Sequence, residues 1–305
     1  NMRIFYTPKI TKSFKGSALA IGNFDGAHRG HQKVFLNAKN FAKKNKIKFG
    51  ILTFQPLPIM FFNKDIKNYK LVSEENKLNL LKKYGVDFVI KIKFNRKFSK
   101  ITADNFIQNI IHKKISPKFI FVSDNFKFGN KRKGNVKQLI QNEKKFNFKI
   151  IKPKPLRKKN KVISSTLIRK LLINGNLDEA NRFLKRNWSI EGIVEKGRQQ
   201  GKKIGFPTCN IDIKDYVIAK NGVYAVKVYL NKRILPLKGI ANLGFRPTFK
   251  QKKILLEVYI FNFSGNLYNK HLTIEFINFI RKEKKFKNVK QLKKQINLDL
   301  KIAKK

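Results

Sequence analysis

The sequence has few of the residues that form disulfides, metal–thiolate clusters and membrane spans. Cys209 is the only cysteine among 305 residues, which excludes an intramolecular disulfide and a thiolate metal cluster. No stretch approaches the ~18 consecutive apolar residues of a membrane-spanning helix. Residues 2–9 also lack the apolar block of a signal peptide. We therefore expect a soluble, cytoplasmic protein with no membrane partner.

Acidic residues are also scarce, because 18 Asp and Glu stand against 70 Lys and Arg, a formal net charge of +52. Two explanations are open. Basic surface attracts nucleic acids and anionic membranes, whereas codon drift in an AT-rich genome over-supplies Lys, Asn, Ile and Phe. The lysines are scattered through the whole chain rather than gathered in a tail or on one face. We therefore favour drift and expect no specific nucleic-acid partner.

The length and the hydrophobic pattern predict two domains. A chain of 305 residues, 42% of them hydrophobic, can form two cores. Up to about residue 184, strand-like runs alternate with segments of helical period, which predicts a parallel sheet covered by helices. From Trp188 onward, short strands separated by Gly and Asn turns indicate an antiparallel barrel or sandwich, closed by a helix over residues 288–303. We place the domains at residues 1–186 and 187–305.

The first domain has five predicted strands and six predicted helices. The strands are Ser17–Phe24, Phe49–Phe54, Val86–Ile92, Lys118–Val122 and Phe148–Lys152. One helix has Ser73 as its cap and Gly85 as its end. The other helices are His31–Lys44, Thr102–Lys113, Val136–Lys145, Ser165–Ile173 and Leu177–Leu184.

A glycine-rich segment between the first predicted strand and helix is the first candidate site. It runs from Gly22 to His31 and contains His28 and His31, two of the four histidines in the chain. Backbone N–H groups in such a turn, and the N-terminus of a helix, attract phosphate. Two imidazoles three residues apart can converge on one point and stabilise charge during phosphoryl or nucleotidyl transfer. Metal ligation and an ordinary surface position are the alternatives, and no third metal ligand lies nearby in sequence.

A second glycine-rich segment opens the second predicted domain. It is not a P-loop, because Gly197–Lys203 has one residue too few between its glycines and lacks the final Ser or Thr. Thr208 and Asn210 follow on an extended stretch, where side chains two residues apart point the same way. Their oxygens can hold a Mg²⁺–nucleotide, since Mg²⁺ prefers oxygen ligands. A Gly/Pro turn between barrel strands explains the same residues equally well.

These motifs resemble, in order, those of bacterial bifunctional riboflavin kinase/FMN adenylyltransferases. The resemblance implies a Rossmann-like nucleotidylyltransferase domain, then a small antiparallel barrel with a terminal helix that is a riboflavin kinase. It implies ATP-dependent phosphorylation of riboflavin to FMN and adenylylation of FMN to FAD, with Mg²⁺ as cofactor. The similar segments cover nearly the whole chain and are Asn23–His31, Thr53–Pro58, Asp124–Gly129, Ile163–Arg169, Gly205–Asn210, Asn221–Ala225, Gly239–Gly244, Leu256–Val258 and Phe279–Phe286.

The resemblance also implies roles for single residues in the adenylyltransferase domain. His28 and His31 contact the ATP phosphates around the α-phosphorus. Asn125 and Phe126 bind the flavin nucleotide. Taken alone, the segment around Asn125 is a surface turn and Ser164–Thr166 is a helix cap. The other implied ATP contacts are Gly22, Asn23, Phe24, Asp25, Gly26, Ser164, Ser165, Thr166 and Arg169.

In the kinase domain, the resemblance implies that Glu257 is the general base that accepts the proton of the terminal ribityl hydroxyl. Taken alone, a Glu on a strand is more often a solvent-facing residue. Asn242 and Arg281 are the implied flavin contacts, and Thr208 and Asn210 the implied metal ligands. The implied ATP contacts are Gly197, Gly201, Gly205, Pro207, Thr208 and Asn210.

Two positions depart from the family pattern, namely Leu57, where His is usual, and Cys209, where Ala is usual. Leu57 removes a polar group from the expected flavin or phosphate side. One alternative is therefore a riboflavin kinase with a weakened adenylyltransferase module. An alternative of another class is a basic nucleic-acid-binding protein on the same fold. We expect a monomer or a weak homo-oligomer.

Overall fold

The computed structural model describes residues 2–158, 160–195, 205–230, 235–247 and 252–304. The chain divides into two compact units. Unit 1 comprises Asn1–Lys67 and Glu74–Ser164, and unit 2 comprises Asn68–Ser73 and Ser165–Lys305. The assignment of residues 1–186 and 187–305 to the two activities remains a prediction.

The centre of unit 1 is a six-stranded parallel sheet in the order β1-β4-β3-β2-β5-β8. From β2 the chain builds β3 and β4 on one side, and β5 then pairs with the other side of β2. Ligands of open α/β sheets bind beyond the carboxyl ends of the strands at such a reversal. The sheet strands are β1 Arg3–Phe5, β2 Ala18–Ile21, β3 Phe49–Gln55, β4 Phe88–Lys93, β5 Phe119–Phe121 and β8 Lys149–Ile151; the hairpins pair β6 Lys127–Phe128 with β7 Gly134–Asn135, and β9 Arg157–Lys158 with β10 Lys161–Val162.

Helices cover both faces of this sheet, because its buried strands carry apolar side chains on both sides. One face packs Ala20 and Ile51 against Phe35 and Ala38, and the other packs Leu52 in a separate core. The helices are α1 Arg29–Lys44, α2 Pro58–Phe62, α3 Glu74–Lys83, α4 Arg96–Ser99, α5 Ala103–Asn105, the π-helix Phe106–Ile115 that continues α5, α6 Val136–Gln141 and α7 Glu143–Phe146, with 3₁₀ turns at Lys12–Phe14 and Asn130–Arg132.

Unit 2 contains a closed six-stranded antiparallel barrel in the order β11-β12-β15-β14-β13-β16. The predicted parallel sheet, antiparallel barrel and terminal helix are thus confirmed. The elements of unit 2 are α8 Ser165–Asn174, α9 Leu177–Leu184, β11 Ser189–Glu195, β12 Thr208–Asp212, β13 Gly222–Leu230, β14 Leu237–Pro247, β15 Lys252–Ile260, β16 His271–Arg281 and α10 Val289–Lys304.

A six-residue segment from the first part of the chain, residues 68–73, also belongs to unit 2; we call it the strap. The buried indole Nε1–H of Trp188 donates to the carbonyl oxygen of Leu71 at 3.1 Å. The buried ammonium of Lys70 lies 2.6 Å from the Asp215 carboxylate. Side-chain pairing and backbone bonds, such as Val217 N–H to Lys70 O at 2.8 Å, therefore hold the strap within unit 2.

Candidate functional site

The turn that joins β2 to α1 has an unusual backbone. Phe24, Gly26 and Ala27 have φ angles of 50°, 83° and 40°. The left-handed region costs a residue with a side chain roughly 1–2 kcal/mol, and such strain is concentrated at functional sites. Local bonds hold the turn, because Gln32 Nε2 donates to Ala27 O at 2.8 Å. The strained turn lies at the carboxyl end of β2, where the strand order reverses.

The two predicted histidines come together at the start of α1. The rings of His28 and His31 stack with centroids 3.6 Å apart and an interplanar angle of 23°. His28 is the N-cap, and its Nδ1 accepts the backbone N–H of His31 at 3.4 Å. A neutral His28 therefore carries its proton on Nε2, which is a donor. Both imidazoles lie at the N-terminus of a 16-residue helix, where backbone N–H groups favour an anion.

Glycine allows close packing on both sides of this turn. A Cβ atom on Gly22 would lie 3.1 Å from the ring of Phe24, which itself contacts His31 at 5.2 Å between centroids. A Cβ atom on Gly30 would lie 3.0 Å from both the His28 ring and the carbonyl oxygen of Ile163. The turn is thus closely packed against Ile163. Ser164, the predicted phosphate contact, follows Ile163 directly in the sequence.

The other predicted triphosphate contacts belong to unit 2. Ser165 and Thr166 begin α8, and Arg169 follows one turn later. Arg169 is buried, its Nε donates to Tyr69 O at 2.8 Å, and its guanidinium lies 3.6 Å from the Tyr69 ring centroid. Arg169 therefore anchors the strap, and its role as an ATP contact remains a prediction.

The predicted flavin-nucleotide residues follow β5, the strand beside β2. The exposed Asn125 accepts a hydrogen bond from Ser123 Oγ at 2.8 Å. The half-buried ring of Phe126 stacks on Phe128 with centroids 5.5 Å apart. Because β2 and β5 are parallel neighbours, these residues lie at the same sheet edge as the histidine turn.

Two polar residues of β3 at this edge belong to the similar segment Thr53–Pro58, but no role was predicted for them from the sequence. Thr53 is buried and its hydroxyl donates to the Asn23 carbonyl oxygen at 3.3 Å. Gln55 shares that face of the strand, and its Oε1 is buried without a hydrogen-bond partner among the described residues. Leu57, two residues further, is also buried. Gln55 therefore offers a polar group close to the position where Leu57 removes one.

The second site is a row of three side chains on three adjacent strands of the barrel. Glu257 on β15 is the register partner of Asn210 on β12 and of Asn242 on β14. Directly opposed residues on adjacent strands project from the same face of a sheet. The predicted base thus lies between two carboxamides, on a face that also includes Thr208, two residues before Asn210.

The row contains unmet hydrogen-bond acceptors. Oδ1 of Asn210 and Oδ1 of Asn242 are buried and have no hydrogen-bond partner among the described residues. An unsatisfied buried acceptor costs about 1–3 kcal/mol, so each oxygen gains from a ligand that supplies a donor or a cation. The Thr208 hydroxyl and Asn210 Oδ1 are neutral oxygen ligands, which Mg²⁺ accepts. The two predicted metal ligands therefore fit a magnesium ion.

The remaining residues predicted to contact ATP precede this row. Gly205, with φ of 87°, and the exposed Pro207 lead into β12. Gly197 and Gly201 lie outside the described residues. Cys209, between Thr208 and Asn210, alternates to the opposite side of β12 and is buried, which raises the pKa of its thiol to about 12. It is therefore an inert core residue next to the site.

Arg281, the predicted flavin contact at the end of β16, is engaged by α10. Its Nε donates to Asp299 Oδ1 at 2.9 Å, and a terminal nitrogen lies 2.7 Å from Oδ2 of the same carboxylate. Asp299 is almost fully buried, and Gln295 also donates to it at 3.0 Å. The pair fastens the terminal helix to the barrel, and a flavin contact by Arg281 remains a prediction.

Among residues 2–158, 160–195, 205–230, 235–247 and 252–304, no group of three or more His, Cys, Asp or Glu could hold a metal ion. The histidine turn therefore has no such ligand group around it in the described chain.

Two family models match the chain, one over each of its two parts. The family model described as FAD synthetase matches residues 10–167, and the one described as riboflavin kinase matches residues 184–305. Two curated relatives, both named bifunctional riboflavin kinase/FMN adenylyltransferase, span nearly the whole chain. The protein of Buchnera aphidicola subsp. Schizaphis graminum is 40% identical, over 97% of this chain and 96% of its own. The protein of Haemophilus influenzae is 39% identical, over 95% of this chain and 94% of its own.

A solved structure from Streptococcus pneumoniae shares the fold. It covers 99% of this chain and 98% of its own, with a TM-score of 0.87 and 26% sequence identity. That protein is described as a macrolide-efflux protein. In the described part of the present chain, no helix is both long and apolar enough to cross a bilayer.

Proposed function

The chain belongs to the family of bifunctional riboflavin kinase/FMN adenylyltransferases, and from this premise we propose which residues carry its two reactions. The enzyme phosphorylates riboflavin to FMN with ATP, and it adenylylates FMN with a second ATP to give FAD and pyrophosphate. The observation that best supports the residue assignment is the row Asn210–Glu257–Asn242, whose two buried amide oxygens have no hydrogen-bond partner in the part of the chain that the structure describes.

In the kinase reaction, the Glu257 carboxylate accepts the proton of the terminal ribityl hydroxyl of riboflavin. The hydroxyl oxygen bonds to the γ-phosphorus of ATP, the bond to the β–γ bridging oxygen breaks, and ADP leaves. Thr208 and Asn210 would hold Mg²⁺, which neutralises phosphate charge when bound. The segment with Gly197, Gly201, Gly205 and Pro207 contacts ATP in this proposal, and Asn242 and Arg281 contact the flavin.

In the adenylyltransferase reaction, a phosphate oxygen of FMN attacks the α-phosphorus of ATP and pyrophosphate leaves. His28 Nε2–H and His31 stabilise the charge that develops there, a role that preorganised donors fill in many enzymes. The turn Asn23–Gly26 lines the phosphate cradle in this proposal. The N–H of Gly22 already donates to Leu52 O at 3.1 Å, so Gly22 stays a predicted contact.

The remaining adenylyltransferase contacts are proposed from sequence and position. Asn125 and Phe126 bind the FMN, since they follow the strand beside β2. Ser164 contacts phosphate, since its neighbour Ile163 packs against Gly30. Ser165, Thr166 and Arg169 stay predicted ATP contacts.

We also propose that the enzyme works in the cytoplasm, where both substrates and ATP are available, as a monomer or weak homo-oligomer. A net charge of +52 disfavours self-association through mutual repulsion. No specific nucleic acid is a partner in this proposal. Binding to RNA or DNA that is blind to sequence and disappears at moderate salt reflects bulk charge alone.

The test is an incubation of the purified protein with riboflavin, ATP and Mg²⁺, followed by chromatographic separation of riboflavin, FMN and FAD. We expect FMN first and FAD later, and a parallel reaction with excess EDTA to form neither. FMN without FAD would instead support a kinase whose adenylyltransferase module is weakened at Leu57. No conversion at all, together with salt-resistant binding to one RNA, would support the nucleic-acid alternative.

A further inference from the structure

Glu283, just beyond the end of β16, reaches the row of the kinase site. Its Oε1 accepts a hydrogen bond from Asn242 Nδ2 at 3.0 Å. The same oxygen occupies space over Gly244, where any Cβ atom would collide with it. Asn242 and Gly244 are two residues apart on β14 and so face the same side. The glycine therefore makes room for the carboxylate beside Asn242.

This contact determines how the Asn242 amide is oriented. An ionised carboxylate only accepts hydrogen bonds, so Asn242 must turn its nitrogen, the donor, toward Glu283. Its Oδ1 then faces the other way, where it is buried and has no hydrogen-bond partner among the described residues. The backbone of Asn242 pairs directly with Glu257. Asn242 Oδ1, an acceptor whose orientation is fixed by Glu283, thus lies beside the proposed general base Glu257.

We propose that Glu283 is a positioning residue for riboflavin: it locks the Asn242 amide so that Oδ1 accepts a hydrogen bond from a ribityl hydroxyl. The inference rests on the proposed kinase function, because Glu257 takes its proton from the terminal hydroxyl of that same chain. The other ribityl hydroxyls lie within a few bonds of that hydroxyl, and each is a donor. Without Glu283, the amide can turn its nitrogen toward the substrate and offer a donor where an acceptor is needed.

The test compares the kinetics of FMN formation in Glu283→Ala, Asn242→Ala and the double variant, with Lys285→Ala as a control in the same exposed segment. We expect Glu283→Ala to raise KM for riboflavin about tenfold, as the loss of one good hydrogen bond does, with kcat and KM for ATP nearly unchanged. The double variant should be no worse than Asn242→Ala alone, because Glu283 acts only through Asn242. Lys285→Ala should match the wild type.

Gly244→Ala gives an independent route to the same result, because its methyl group displaces the carboxylate while leaving Glu283 in place. We expect it to raise KM for riboflavin as Glu283→Ala does. An unchanged KM in Glu283→Ala, or losses that add in the double variant, would overturn the inference while leaving the kinase assignment intact. A wild-type protein that makes no FMN would overturn the proposed function itself. Fluorescence of the buried Trp188 checks that each variant is folded.

Discussion

Removing the Asp215 carboxylate tests whether the strap is an integral part of unit 2. Lys70 has a side-chain exposure of 9% and lies 2.6 Å from Asp215, whose exposure is 41%. Breaking a buried ion pair by deleting one partner costs about 3–5 kcal/mol, because the other charge stays desolvated. Asp215 is partly hydrated already, so we expect Asp215→Ala to lower the free energy of unfolding of unit 2 by about 2 kcal/mol.

The matched variant is Lys70→Met, which removes the buried charge instead. Its aliphatic side chain keeps the packing, and the Asp215 carboxylate can hydrate, so the expected cost is about 1 kcal/mol or less. Lys70→Met/Asp215→Ala should resemble Lys70→Met, because without the Lys70 ammonium no buried charge is left unpaired when the carboxylate is removed. Backbone bonds such as Tyr69 N–H to Asp215 O at 2.8 Å persist in every variant.

Tryptophan fluorescence during urea unfolding measures these differences in unit 2 alone. Trp188 is the only tryptophan of the chain, is buried, and donates to the strap through Leu71 O. Midpoints should shift at constant slope if only stability changes. Equal stability of Asp215→Ala and wild type, or strictly additive effects in the double variant, would refute the coupling of strap and barrel.

Three further predictions concern the chemistry. His28→Ala together with His31→Ala should lower FAD formation from FMN by at least about 100-fold, while chromatography still shows FMN made from riboflavin. Glu257→Gln should slow FMN formation by about 100- to 10,000-fold and spare FMN-to-FAD conversion; loss of both activities in a folded variant would contradict the two-site assignment. Cys209, with a thiol pKa raised to about 12 by burial, stays protonated at pH 8. A chromogenic disulfide reagent should therefore leave the folded protein unmodified and react at once in guanidinium chloride, whereas rapid labelling of the native protein would show that the thiol is accessible.

Periodicity was enough to predict the layers of both units. Strand-like and helical segments alternate before residue 184 and short strands follow Trp188, and the parallel sheet and the barrel bear this out. It did not distinguish the π-helix Phe106–Ile115 from an α-helix, because its first four buried residues are spaced by three and four, as on one face of an α-helix. β1 was missed because Arg3–Phe5 is only three residues long.

The candidate sites divide in the same way. The histidine turn is formed by residues close in sequence, so the motif alone was enough to predict that His28 and His31 lie together. The row Asn210–Glu257–Asn242 depends on strand register, which a single sequence does not specify. Arg281 was predicted as a flavin contact from its position in a motif, and its pairing with Asp299 became visible only once β16 and α10 were packed.

The strap has a consequence for the order in which the chain is made. Asn68 donates to the carbonyl oxygen of Tyr216, which lies 148 residues further along the chain. At about 5–20 residues per second, the ribosome needs roughly 7–30 seconds to synthesise that distance. Lys70 and Leu71, which are buried in the folded unit 2, are thus synthesised long before the barrel strands that belong to the same unit. Unit 2 therefore cannot complete its fold before its barrel strands have been synthesised.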